Sequence, residues 1–228
     1  MRTFPLVFCR GGSKGIRRKN LRSINGRSLL ERSVSHGLML SSKCFVSTDS
    51  DEIANEARLL GAEVIARPDY LATDESPEIL SWKHACESIP IGDDDLFVSL
   101  PTTAPLREFD TILKAIELFM DGDADIICAA SEADRNPFLN MFNLSEGLLV
   151  PLTNELNWRR QDSRTVLSVS TVVYVTNGRY IRETEMPFSG RVKPIIISRY
   201  ESVDIDTEDD LMLAEAFENM RTAQSVIE

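Results

Sequence analysis

The 228-residue chain has two histidines and four cysteines, and neither set is spaced for metal or redox chemistry. Cys9, Cys44, Cys86 and Cys128 lie far apart, with no CxxC pair and no Cys/His ligand spacing. The thiols therefore read as small hydrophobes, and neither a zinc site nor a disulfide framework is expected. No GxSxG elbow and no Cys/His pair suggests a covalent nucleophile. His36 is expected on a helix surface, and His84 either near the ligand edge or packed. No run approaches the roughly 18 apolar residues that span a bilayer. No leader-like segment separates Met1 from the first apolar run, so a soluble protein of the reducing cytoplasm is expected. Positive charge is the minority, at 25 Lys and Arg against 36 Asp and Glu, a net charge of -11. That balance argues against a nucleic-acid-binding or anionic-membrane surface. Internal repeats, low-complexity segments and long linkers are also missing.

What is present is an alternation. "TFPLVFC", "KCFVST", "AEVIAR", "DLFVSL" and "ADIICAA" read as buried strands. Between them "SLLERSVSHGLML", "DSDEIANEARLLG", "SPEILSWKHACESI" and "REFDTILKAIELFM" carry helical periodicity. Asp49 or Ser50 is the expected N-cap of the second helix, and Gly61 lies just past its end. Strand and helix in turn predict an α/β three-layer sandwich with a mainly parallel sheet. The rhythm breaks at about 132–170, where a hairpin is expected around Ser145, Glu146 and Gly147. This stretch reads as an excursion from a single domain covering residues 1–228. Strands resume with "VSTVVYV" and "VKPIIIS", and a helix from about Thr207 to Met220 closes the chain.

Four stretches could carry chemistry. Residues 10 to 27 hold seven cations and no acid: Arg10, Lys14, Arg17, Arg18, Lys19, Arg22 and Arg27. Gly11, Gly12 and Gly15 would let backbone N–H groups approach an anion. This pattern is neither a P-loop nor the dinucleotide fingerprint. It reads as a solvated basic loop or a phosphate cradle, with the unneutralised charge favouring the cradle. Asp204 and Asp206 alternate along a segment expected to be extended, which would turn both carboxylates to one face. Two hard oxygen ligands beside phosphates suit magnesium. "SLPTTAPLRE" brings Thr102 and Thr103 to the end of the central strand, with Arg107 placed to bind a carboxylate or cap a helix. "RRQD", holding Arg160 and Gln161, reads from composition as a solvated turn.

Taken in order, "RGGSKGIRRKN", "STDSDEI", "ARPDYLATDES", "LPTTAPLR", "RRQD" and "SVDIDTEDDL" resemble the acylneuraminate cytidylyltransferases, collinearly from about Phe4 to Leu213. The resemblance implies a Rossmann-like fold and transfer of CMP from CTP to the anomeric hydroxyl of a 2-keto-3-deoxy acid sugar, with release of pyrophosphate. It implies that Arg10, Ser13, Lys14, Lys19 and Asn20 hold the triphosphate, with Gly11 and Gly12 in the same motif. Arg67 and Ser76 would lie near the cytidine. Asp204 and Asp206 would hold Mg2+ or Mn2+, and Arg10, Lys19 and Asp206 would be catalytic. The sugar side would comprise Leu100, Thr102, Thr103, Arg107, Arg160, Gln161 and Ser170. A homodimer is implied, with the 132–170 excursion exchanged, Arg160 reaching the partner's sugar site, and Trp158 and "FLNMF" buried between subunits. Two departures fall in the sugar half. Leu100 stands where the family has a glutamine facing the sugar, and Ser170 and Thr171 replace Asn and Gly. A sialic, legionaminic, pseudaminic or Kdo-like acid is the implied acceptor. The competing readings are a transferase using GTP, a binding-only regulatory subunit and a nucleotide-sugar glycosyltransferase.

Overall fold

The computed structural model describes residues 1–12, 15–157 and 159–225. Ser13, Lys14 and Trp158 lie outside the described residues, as does the side chain of Arg160.

The strands are β1 (Thr3–Phe8), β2 (Ser23–Ile24), β3 (Arg27–Ser28), β4 (Phe45–Thr48), β5 (Glu63–Ala66) and β6 (Leu96–Ser99), then β7 (Ile126–Glu132), β8 (Phe142–Ser145), β9 (Leu148–Pro151), β10 (Leu167–Asn177) and β11 (Val192–Ile196). The helices are α1 (Leu29–Leu40), α2 (Asp51–Leu59), α3 (Glu78–Ser88), α4 (Phe109–Met120), α5 (Gly178–Glu183) and α6 (Glu208–Ser225). Seven strands form one sheet in the order β11-β7-β10-β6-β1-β4-β5. Only β10 runs against its neighbours; every other pairing in the sheet is parallel.

The strands are apolar on both faces because each face is covered. Val7, Val46, Leu96 and Val98 pack with Leu30 and Val34 of α1, Ile53 of α2 and Ile112 of α4. Their neighbours in the pleat, Leu6, Phe45 and Phe97, turn the other way against Ile79 and Trp82 of α3 and Ile181 of α5. These two cores make the three layers. Ser50 caps α2, its hydroxyl accepting from the Ile53 N–H, and Gly61 takes the left-handed conformation that ends the turn.

The excursion leaves from the end of β7 and returns in β10. Its β8–β9 hairpin turns through Glu146 and Gly147, both at positive φ, as a two-residue primed turn requires. The sequence reading missed a second such hairpin, β2–β3 through Asn25 and Gly26, and the short helix α5, whose N-cap is Asn177. His36 is half-buried on its helix: its ring stacks on Phe109, and burial first, then Arg107, lowers its pKa to about 4. Among the described residues, no helix is long and apolar enough to cross a membrane.

Candidate functional site

Two cavities adjoin, the first beyond the carboxyl ends of β1 and β6 and the second beside the end of β7 and the start of β10. The first, of about 420 Å³, gathers Arg10, Gly15 and Lys19 from the loop after β1 and Asp206 from the approach to α6. Asn20, Thr102 and Thr103 also line it, with Arg67 and Ser76 from the loops around β5 and α3. The second, of about 650 Å³, is lined by Ser168, Ser170 and Thr171 of β10, by Arg135 and Met141 of the excursion, and by Asp204. They meet where the Thr103 and Thr171 hydroxyls share a hydrogen bond of 3.0 Å.

Lys19 is held by that junction: its ammonium donates to the Ile205 carbonyl at 2.8 Å and to Asp206 Oδ1 at 3.0 Å. Asn20 acts as a clamp. Its Nδ2 donates to the Arg10 carbonyl, and its Oδ1 accepts from Thr102 Oγ1 at 2.7 Å, tying the loop to the end of β6. The Arg67 guanidinium lies over the Phe8 ring and donates to the Ser47 hydroxyl and carbonyl. Burial lowers its pKa. Glu78 opens α3 beside it, and its Oε1 accepts from the Trp82 indole N–H at 3.3 Å. Glu78 as a residue keeps open surface, yet its carboxyl is enclosed enough for burial to raise its pKa, against the opposing pull of Trp82 and Arg67. Beneath the site, burial pushes the Cys9 thiol up to about 12, which keeps it protonated at neutral pH.

The basic stretch is not left unneutralised. Its counter-charges come from distant segments: Asp74 to Arg10 at 2.6 Å, Glu208 to Arg22, and Glu52 to Arg18. The Gly11 N–H donates to Asp49 Oδ1 at 2.9 Å. No window confined to residues 10–27 could have shown these partners.

Several expected site residues lie elsewhere. Leu100 is fully buried in the core with Leu96 and Val98, because its N–H donates to the Leu6 carbonyl and prolongs the pleat of β6 by one residue. Arg107 is buried too, and its guanidinium donates to the carbonyls of Val172 and Pro101 and to the Ser33 hydroxyl. It locks the loop after β6 and faces neither cavity. Gly12 borders neither cavity, and Gly11 sits behind Arg10 in a small recess. Gln161 lines a separate pocket within the excursion.

The segment with Asp204 and Asp206 is irregular, not extended. Ile205 between them is fully buried, Asp206 faces the basic cavity and Asp204 the second. Asp204 Oδ1 accepts from Thr171 Oγ1 at 2.8 Å. Among the described residues no cluster of three or more His, Cys, Asp or Glu could hold a metal. Two carboxylates at the junction still suit magnesium, which takes one or two carboxylates and completes its shell with phosphate oxygens and water.

Sequence reasoning missed Thr171 as a partner of Asp204, and Arg135 and Glu78 as lining residues. Ser170, which it did name, is buried, lines the second cavity and has no hydrogen-bond partner for its hydroxyl.

The chain is 29% identical over 217 residues to a Campylobacter coli protein described as post-translational flagellin modification protein B, covering 92% of each. It is equally identical over 216 residues to the CMP-N,N'-diacetyllegionaminic acid synthase of Campylobacter jejuni, again covering 92% of each. It is 27% identical over 218 residues to an N-acylneuraminate cytidylyltransferase of Streptococcus agalactiae; these cover 93% of the chain but only 52% of that protein. The chain thus spans about half the length of that streptococcal relative. In fold it is similar to a CMP:2-keto-3-deoxy-manno-octonic acid synthetase solved with CTP, at a TM-score of 0.72 and 12% identity over 97% of the chain and 100% of that protein. The family model for cytidylyltransferases matches residues 5–221, and with it the chain belongs to the cytidylyltransferase family, as a nucleotidyltransferase.

Proposed function

We propose that the chain transfers CMP from CTP to the anomeric hydroxyl of a 2-keto-3-deoxy acid sugar. The carrying observation is the meeting of a basic cavity with a hydroxyl-lined one at Thr103 and Thr171, with a carboxylate on either side. The anomeric hydroxyl gives up its proton to solvent as its oxygen bonds to the α-phosphorus, the bridge to the β-phosphate breaks, and pyrophosphate leaves. Arg10 and Lys19 stabilise the charge that builds on the departing group. Both are paired with carboxylates, so a triphosphate binds by displacing Asp74 and Asp206 from them. Asp204 and Asp206 are the residues that would hold Mg2+ or Mn2+, which would supply Lewis-acid polarisation of the α-phosphate.

On the acceptor side, Ser170 offers an unpaired hydroxyl, Thr171 a hydroxyl fixed by Asp204, and Arg135 a cation for the sugar carboxylate. Pro137, Met141 and Val169 give the same cavity an apolar part. That mixture suits an acid sugar with acylamido or deoxy groups, in keeping with the legionaminate and neuraminate named for the relatives. The excursion also presents Leu144, Leu148 and Leu149, each at least 70% exposed, and supports the reading that a second copy covers it.

The test is pyrophosphate release with magnesium, CTP and a panel of 2-keto acid sugars, with GTP, ATP and UTP as controls. Release with CTP and a nonulosonic or Kdo-like acid is expected. Release with GTP alone, or none across the panel from folded protein, refutes the proposal.

A further inference from the structure

The first cavity has unlike ends. Arg10, Gly15, Lys19 and Asp206 stand at one, beside the loop after β1. At the other, Phe8 and Leu71 give apolar surface, Arg67 gives N–H donors, and Glu78 gives a carboxylate. Arg10 and Lys19 put two cations at the first end and Phe8 and Leu71 put apolar surface at the second, so the triphosphate belongs at the first end and the base at the second. A carboxylate that a bound base shuts off from water is stable only against a donor. The ring edges of pyrimidines differ in that respect: cytosine presents an amino group at C4, where uracil presents an oxygen.

We infer that Glu78 is the residue that distinguishes cytosine from uracil, its carboxylate accepting a hydrogen bond from the exocyclic amino group while Arg67 donates to the ring's acceptor edge. This rests on the proposed use of a cytidine nucleotide. Both groups are rigidly mounted, as such discrimination needs. Oε1 of Glu78 is held by the indole N–H of Trp82, which is itself fully buried among Phe8, Phe97 and Tyr174. Arg67 is anchored on Ser47 and stacked over Phe8. Ser81 donates to the Leu71 carbonyl and so fixes the turn between them. Ser76 adds an unpartnered hydroxyl, which can donate or accept and so does not discriminate. With uracil, O4 would face the carboxylate with no proton between them. A site built around such a bond rejects the analogue that lacks it far more strongly than a site relying on shape.

Glu78→Gln separates this reading from general pocket damage, because an amide can donate to O4 as well as accept from the amino group. CTP and UTP binding to the magnesium-loaded protein would be measured by calorimetry, and pyrophosphate release with each in the presence of the acceptor sugar. Wild type should prefer CTP. In Glu78→Gln the CTP-to-UTP affinity ratio should fall by about tenfold to a hundredfold, through a gain in UTP binding. Glu78→Leu should lose CTP affinity without gaining UTP. A Glu78→Gln protein that binds CTP with the wild-type ratio overturns the assignment, as does a wild type that binds both nucleotides alike. A folded wild type that binds neither and releases no pyrophosphate overturns the cytidylyl reading, and this inference with it.

Discussion

Replacing Gly15 by alanine should disable the site while leaving the fold in place. A Cβ at Gly15 would lie 2.1 Å from the backbone carbonyl oxygen of Asp206, where ordinary contact begins at 3.4 Å. The shortfall is 1.3 Å, and the obstructing atom is main chain, so no rotamer change relieves it. Either the loop after β1 or the segment before α6 must move by that amount. The second holds the Ile205 carbonyl and Asp206 carboxylate that receive Lys19, and the Ile205 N–H that donates to the Thr103 carbonyl at 2.8 Å. Displacing reacting groups by about 1 Å costs on the order of 100-fold in rate. Gly15→Ala is therefore expected to lower kcat for pyrophosphate release by about 100-fold. Far-UV circular dichroism should stay unchanged, because neither main core includes Gly15. Gly12→Ala is the matched control, since its Cβ meets nothing within 4 Å. A Gly15→Ala enzyme with kcat close to that of Gly12→Ala would refute the reasoning.

Three further outcomes can be checked directly. The half-buried His36 stays neutral in the fold down to about pH 4 and is charged below its ordinary pKa of about 6.5 when unfolded. Its folded-state value of about 4 means its contribution to stability is complete above the unfolded value and lost as pH falls towards 4. That loss is about 3 kcal/mol, so His36→Phe should show a shallower fall in stability between pH 6.5 and 4 in urea titrations; parallel curves would contradict it. Arg107→Met should lower stability by about 3 kcal/mol by leaving buried carbonyls unpaired, with KM for CTP and sugar unchanged. An unchanged Tm with a raised sugar KM would return Arg107 to the sugar site. Leu148→Asp with Leu149→Asp should convert a dimer to a monomer by light scattering, and a monomeric wild type would dismiss the covered hairpin.

Most of the layer structure was legible because apolar residues on both faces of β1, β4 and β6 match two helix-covered cores. The excursion was legible as a break in that rhythm. Leu100 could have been placed by the same rule, since Leu96, Val98 and Leu100 share one face by period two. Resemblance pointed it at the sugar, and the pleat points it at the core. Asn25-Gly26 is a strong hairpin signal that was passed over because two-residue strands carry no alternation to read. Other features were beyond any local window. The acids that neutralise residues 10–27, the carbonyls that hold Arg107 and the split of Asp204 and Asp206 between cavities depend on segments brought together only by the fold.

The reversed strand β10 has a consequence for how such a protein can change. The excursion departs from β7 and comes back in β10, and these two strands are hydrogen-bonded neighbours, Glu132 opposite Leu167. Everything between them is hung from a closed pair of chain ends. Length and composition there can drift without shifting the register of β1, β4 or β6, beyond which the first cavity is built. A transplanted segment 133–166 would therefore change only the part of the second cavity that Arg135, Pro137 and Met141 supply, and would leave Ser170, Thr171 and Asp204 in place.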